Sequence, residues 1–138
     1  MGTLRYGFER RLADITFDQA VERVTGALKS EGFGVLTEID IKATLRKKLD
    51  VDFRRYVVLG ACNPSLAHQA LATEPQIGLL LPCNVVVQEA SEGGVLVSIA
   101  NPRAMFALVD NAAISPIAAE AEERLHRVIE AVGGKEPV

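Results

Sequence analysis

The chain has 138 residues and a net charge of −3, which fits one domain and gives no overall attraction to nucleic acid or to an anionic membrane. With 49% hydrophobic and 24% charged residues, it can form a core that needs neither disulfides nor a metal. The N-terminus lacks a secretory signal, and no apolar run is long enough to span a bilayer. We therefore expect a cytoplasmic protein with free thiols, forming a single domain over residues 1–138 with a frayed tail at 133–138.

The first predicted elements are a strand and an amphipathic helix. Apolar residues at every second position from Leu4 to Phe8 predict a strand with one buried face. Thr16 and Gln19 have the spacing of a capping box, which predicts that a helix begins there. Its apolar residues form one stripe, and Gly32 suits the left-handed position at which such a helix ends.

Two more strands and a short helix follow in the sequence. Residues 34–39 and 53–62 are rich in apolar, β-branched and aromatic side chains, and both segments predict strands. Between them, Asp40 can cap a short helix. The predicted inner face of that helix consists of Ile41, Leu45 and Leu49.

The second half of the chain contains a hairpin and the longest helix. Asn63-Pro64 predicts a helix start, because Asn caps and Pro fits the first helical position. Residues 83–89 and 95–100, joined by a turn at Gly93-Gly94, predict an antiparallel pair of strands. The last helix begins at Ser115-Pro116. Its apolar stripe consists of Ile117, Ala121, Leu125, Val128, Ile129 and Val132.

The order of these elements leaves two architectures open. Alternating strands and helices would fit a parallel, doubly wound sheet. The two connecting helices are short for crossover connections, however, and the predicted hairpin favours an antiparallel sheet. We therefore predict an α+β fold with a mainly antiparallel sheet and the two long helices on one face.

The middle of the sequence resembles the domain of unknown function 302 family. The resemblance lies in residues 37–45, 59–64 and 78–87, and it continues through Asn101-Pro102, Met105 and the helix at Pro116. It covers nearly the whole chain, and the two Cys-Asn pairs are its most specific part. It implies a TATA-binding-protein-like fold, ordered strand-helix-four strands-helix with short helical insertions, and a homodimer. The fold name by itself implies no binding of DNA.

The candidate ligand-binding residues are Cys62, Asn63, Cys83 and Asn84. If their strands are antiparallel neighbours, the cysteines lie at the same end of the sheet, and if the strands are parallel they lie at opposite ends. The helix start at Asn63 would lower the pKa of Cys62 and favour a thiolate. Such a site could bind a sulfur species or an anion, or take part in redox chemistry. Alternatively, both cysteines are inert apolar fillers and both asparagines bond locally.

Lys42 is the fifth candidate residue, at the start of the only basic cluster. Together with Arg46, Lys47 and Lys48 it could bind phosphate or nucleic acid. Nearby acidic residues favour a solvated helix surface instead, and the cluster lacks interleaved aromatic residues, so we expect no nucleic-acid partner. We find no recognised motif for catalysis, for a cofactor or for a metal ion.

These patterns lead to two functional hypotheses. The first is a non-enzymatic binding or assembly module that forms a homodimer, since the hairpin strands are apolar on both faces and the second face needs a cover. A small ligand near the two Cys-Asn pairs fits this hypothesis, and no membrane partner is expected. The alternative is a thiol-dependent redox or sulfur-handling protein that uses Cys62 and Cys83.

Overall fold

The computed structural model describes residues 4–136, and its centre is one five-stranded antiparallel sheet. The strands lie in the order β1-β5-β4-β3-β2, and each neighbouring pair is antiparallel. The predicted α+β class and antiparallel sheet are therefore confirmed. The strands are β1 (Gly7–Leu12), β2 (Gly34–Asp40), β3 (Tyr56–Cys62), β4 (Cys83–Glu89) and β5 (Val95–Ala100).

In the described part of the chain, five α-helices connect and cover the strands. They are α1 (Phe17–Ser30), α2 (Ile41–Leu49), α3 (Pro64–Thr73), α4 (Pro102–Phe106) and α5 (Ser115–Val132). The two long helices, α1 and α5, contact each other and the sheet, as predicted. None of the helices within residues 4–136 is long and apolar enough to cross a membrane.

Two hydrophobic clusters stabilise the fold. The first joins α1 and α5 to one sheet face, where Leu59, Val85 and Val97 are fully buried, while the alternate residues of the strands point to the other face. The second cluster lies among α3, α4 and the first half of α5, and includes Leu66 and Phe106. The cysteine end of β3 and β4 lies where these two clusters meet.

The structure corrects two details of the predicted elements. The first strand begins at Gly7 instead of Leu4, and Tyr6 is 62% exposed. None of the residues of α2 is buried, and Leu49 is 66% exposed instead of lying on an inner face. The reason is that α2 contacts the two strands it joins and contributes to neither hydrophobic cluster.

The described part of the tail is held against the sheet. Lys135 and Arg11 exchange two backbone hydrogen bonds, of 2.7 and 3.0 Å. Gly133 and Gly134 have φ values of 83° and 78°, and a Cβ at Gly134 would collide with the Arg11 carbonyl, so the turn requires glycine. The fraying of residues 133–138 stays a prediction: Lys135 pairs with Arg11, and residues 137–138 lie outside the described residues.

Candidate functional site

The pairing of β3 with β4 brings both Cys-Asn pairs to the same end of the sheet. Ala61 lies opposite Cys83, and Gly60 lies opposite Asn84. Cys62 is therefore the residue next to the one that pairs with Cys83. The antiparallel alternative is therefore the correct one. Both cysteines are free and partly buried.

A small, mainly apolar cavity lies beside this end of β3. Its volume is about 30 Å³, which is enough for one or two water-sized groups. Cys62, Asn63 and Cys83 all contribute to its wall. The remaining lining residues are Phe33, Ala61, Leu66, Ala67, Ala70, Leu81, Phe106, Ile117 and Ala121.

A second cavity lies next to the first. Its volume is about 130 Å³, and Asn84 belongs to its lining. Leu81, Cys83 and Phe106 border both cavities, so the Cys83 thiol lies at their shared wall. All four residues of the two Cys-Asn pairs thus contribute to one pair of neighbouring cavities.

The electrostatic surroundings keep both thiols protonated. Burial raises the pKa of Cys62 above its ordinary value. Burial, and then the charge of Cys62, raise the pKa of Cys83 to about 11. The expected lowering of the Cys62 pKa by the helix start is therefore wrong. Burial destabilises the charged thiolate, and this effect outweighs any stabilisation by the helix end.

Asn63 is the buried cap of helix α3. Its Oδ1 accepts a hydrogen bond of 3.1 Å from the Leu66 backbone N–H, which confirms the predicted start of α3. The residue is only 9% exposed. Among the described residues, no buried side-chain nitrogen or oxygen lacks a hydrogen-bond partner, so Asn63 adds no unpaired buried group to the cavity wall.

Asn84 differs from Asn63 in both burial and position. It is exposed, and it lies in register with Gly60, on the sheet face that points away from α1 and α5. It therefore reaches the second cavity from the solvent side.

Lys42 does not belong to this site. In the β2–β3 register, Gly34 lies opposite Cys62 and Asp40 lies opposite Val57, so α2 follows the far end of β2. Lys42 Nζ donates to the Phe53 carbonyl at 2.6 Å and to Asp52 Oδ1 at 3.2 Å. The length of β3 separates Lys42 from Cys62, so the structure does not bring this candidate together with the other four.

Two residues beside Asn63 escaped the sequence reasoning. Gly32 has a φ of 85°, and a Cβ built on it would lie 2.9 Å from Asn63 Nδ2 and 3.7 Å from Arg124 Nη1. The Asn63 amide therefore packs closely against Gly32, and together with the positive φ this leaves no room for a side chain at this position. In the sequence Gly32 indicated only a helix end, because no local pattern connects it with α5.

The histidines do not add a metal site to these cavities. His126 lies 3.3 Å from Glu130 on the surface of α5, and its ring packs edge-on against Phe8. His68 is exposed on α3. Across residues 4–136, no group of three or more His, Cys, Asp or Glu side chains is placed to hold a metal ion.

The chain belongs to the family of the domain of unknown function DUF302, whose family model matches residues 8–132. It is similar to the crystal structure of an uncharacterized conserved DUF302 protein from Bacillus stearothermophilus, with 27% sequence identity and a TM-score of 0.85. That likeness covers 94% of this chain and 100% of the other. Among curated proteins, none matches the sequence. The resemblance found in the sequence is confirmed.

Proposed function

We propose that the protein is a non-enzymatic binding module that takes a small ligand in the two neighbouring cavities. The observation that carries this proposal is that Cys62, Asn63, Cys83 and Asn84 all line these cavities, with Cys83 common to both. Ligand sites are typically concave and mainly apolar, with a few polar groups that orient the ligand.

The side chains around the cavities favour binding over catalysis. None of the lining residues is Asp, Glu, His, Lys or Arg, so the walls offer no ordinary general acid or base. The raised pKa values of Cys62 and Cys83 keep both thiols protonated at neutral pH. A thiolate is the nucleophilic form of cysteine, and the alternative thiol-dependent function is therefore less well supported.

The binding proposal is tested by titrating the full chain with 1-butanol and following backbone amide signals by NMR. We expect saturable shifts at Phe33 and Ala67, which line the first cavity. Ala67→Leu fills that cavity and is expected to abolish the shifts. Ala72→Leu is the matched control, because Ala72 is exposed on the same helix. Equal responses of the two variants, or no saturable shift in the natural chain, would contradict the proposal.

We also propose that two copies of the chain pair through the sheet face that lies away from α1 and α5. We call this surface the open sheet face. It presents a row of apolar side chains across the strands, with Ile39 opposite Val58 and Val58 opposite Val86 in the register. Ile39 is 48% exposed, while Val58 and Val86 are partly exposed. Contiguous apolar surface of this kind is typical of an interaction site.

Sedimentation velocity tests the dimer over a dilution series. We expect the natural chain to sediment as a dimer and Val86→Lys as a monomer, because a lysine there would place a charge in the middle of the interface. Ala72→Lys adds the same charge to the surface of α3 and is expected to leave the dimer intact. A natural chain that sediments as a monomer at every concentration overturns this part of the proposal.

A further inference from the structure

We propose that the ligand of this protein is a small neutral aromatic alcohol, one six-membered ring with a hydroxyl group, held in the second cavity. This inference rests on the proposed binding function and adds the chemical class of the ligand. Three features of the second cavity support it: its volume, the chemistry of its wall, and the amide of Asn84 at its solvent side.

The volume of the second cavity fits a single ring. It measures about 130 Å³, whereas the first cavity measures about 30 Å³ and is too small for any ring. An apolar protein cavity of about 150 Å³ takes up benzene. One six-membered ring would therefore fill most of the second cavity, and a compound of two fused rings would exceed it.

The wall of the second cavity favours a neutral ligand. None of its lining residues carries a charge, and three consecutive leucines, Leu79, Leu80 and Leu81, contribute to it. Leu79 is 83% exposed and the other two are partly exposed, so a bound ring would remove apolar surface from water. A charged ligand would lose its hydration here without gaining an ion pair, which is unfavourable.

The wall also contains groups that favour an aromatic ring over an aliphatic one. Cys83 and Met105 are sulfur-containing residues, Phe106 is aromatic, and all three line the second cavity. Contacts of sulfur with an aromatic ring, and of one aromatic ring with another, stabilise more than the buried area alone accounts for. Phe106 is buried in the second hydrophobic cluster and Met105 packs against that cluster, so the positions of both are held by packing before a ligand binds.

Asn84 provides the polar contact at the solvent side of the second cavity. It is exposed on the open sheet face, whereas Phe106 is only 6% exposed. A ligand with one polar end would therefore place its ring against Phe106 and its hydroxyl group beside the Asn84 amide. The match is chemical as well, because an amide side chain and a hydroxyl group both donate and accept hydrogen bonds.

The test compares three compounds of similar size. The full chain is titrated at neutral pH with phenol, cyclohexanol and toluene, and affinities are taken from NMR shifts of backbone amides. We expect saturable shifts from phenol at Leu80 and Met105, which line the second cavity. We also expect phenol to bind about five-fold more tightly than cyclohexanol, because the aliphatic ring lacks the contacts that sulfur and aromatic groups make with an aromatic one.

Two variants test the ring and the hydroxyl group separately. Met105→Leu keeps the apolar bulk and removes the sulfur, so we expect phenol to bind about three-fold more weakly and cyclohexanol as before. Asn84→Ala removes the amide at an exposed position, so we expect phenol to bind about five-fold more weakly and toluene as before. Ala67→Leu is the control, because it fills only the first cavity and should leave the affinity for phenol unchanged.

The outcomes separate this inference from the binding proposal. If 1-butanol binds in the first cavity but phenol causes no saturable shift at Leu80 and Met105, the aromatic inference is overturned while the binding proposal stands. Equal affinities for phenol and cyclohexanol, with Met105→Leu changing neither, also overturn it. So does an Asn84→Ala variant that binds phenol as tightly as the natural chain. If the natural chain binds neither phenol nor 1-butanol, both proposals fail.

Discussion

Ala61 lies opposite Cys83 in the register of β3 and β4, and this pairing brings Cys62 close enough to raise the pKa of the Cys83 thiol. The two cysteines are thus electrostatically linked although they lie far apart in the sequence. Their environment keeps them in the neutral form, which determines how they react and how stability depends on pH.

The Cys83 thiol is expected to react slowly with alkylating reagents. A pKa of about 11, against an ordinary value of 9.0, leaves roughly 100-fold less thiolate at pH 8. Iodoacetamide labelling followed by mass spectrometry, with the urea-unfolded chain as the reference, measures this difference. Cys62→Ser removes the neighbouring charge, so we expect it to lower the pKa of Cys83 only in part. Labelling of the folded chain at the unfolded rate would contradict the raised pKa.

The free energy of unfolding is expected to fall in alkaline solution. Burial raises the folded-state pKa of Cys83, so the folded chain retains a proton that the unfolded chain loses. The stabilisation is complete below about pH 9 and is lost as the pH rises through about 11, with a total of about 3 kcal/mol. Urea unfolding of the natural chain and Cys83→Ala across this range isolates the effect. Identical pH profiles would refute it.

Gly60 is expected to be intolerant of substitution. A Cβ there would collide with the Thr37 hydroxyl oxygen and lie 2.8 Å from Pro82 Cγ. We expect Gly60→Ala to reduce the free energy of unfolding by about 1–3 kcal/mol. Gly26→Ala is the matched control, because a Cβ there meets no atom within 4 Å, and alanine in α1 should add about 0.5–1 kcal/mol. Equal effects of the two substitutions would show that the close contact is absent.

The helix cap at Asn63 is expected to contribute to stability independently of any ligand. Asn63→Ala removes the acceptor of the Leu66 N–H, which typically costs about 1 kcal/mol. Asn63→Asp retains that acceptor and should unfold at nearly the same urea concentration as the natural chain. If the free energy of unfolding fell equally in both variants, the Asn63 amide would act through its Nδ2 group and not through the helix cap.

Elements with strong local signals were predictable from the sequence. The apolar stripe of α5 is buried as expected, and Gly93 and Gly94, both with positive φ, form the turn of the β4–β5 hairpin. The start of β1 at Gly7 is not marked in the sequence, because apolar residues alternate from Leu4 onward and a period of two does not show where pairing begins. Boundaries of this kind depend on the partner strand, here β5.

The chemistry of the site required tertiary structure. The sequence indicated a helix start beside Cys62, but the larger effect on its pKa is desolvation, which depends on packing from distant segments. In the sequence Lys42 stands out only as part of a basic cluster, and the register of β2 with β3 is what shows that it lies at the other end of the sheet. The close approach of Arg124 to Gly32 brings α5 to the end of α1 and leaves no trace in either local sequence.

The backbone bridge between Arg11 and Lys135 makes the two edge strands, β1 and β2, differ in how many of their outward backbone groups are paired. Beside β1, part of the border is already occupied by the chain's own tail, whereas β2 has no neighbouring strand on its outer side within residues 4–136. An incoming strand would thus add beside β2, where the irregularity between Val35 and Thr37 interrupts the ladder. The tail thus shields the Arg11 end of β1, and within residues 4–136 β2 is the outer strand that keeps its whole outward row of backbone groups available for a further strand.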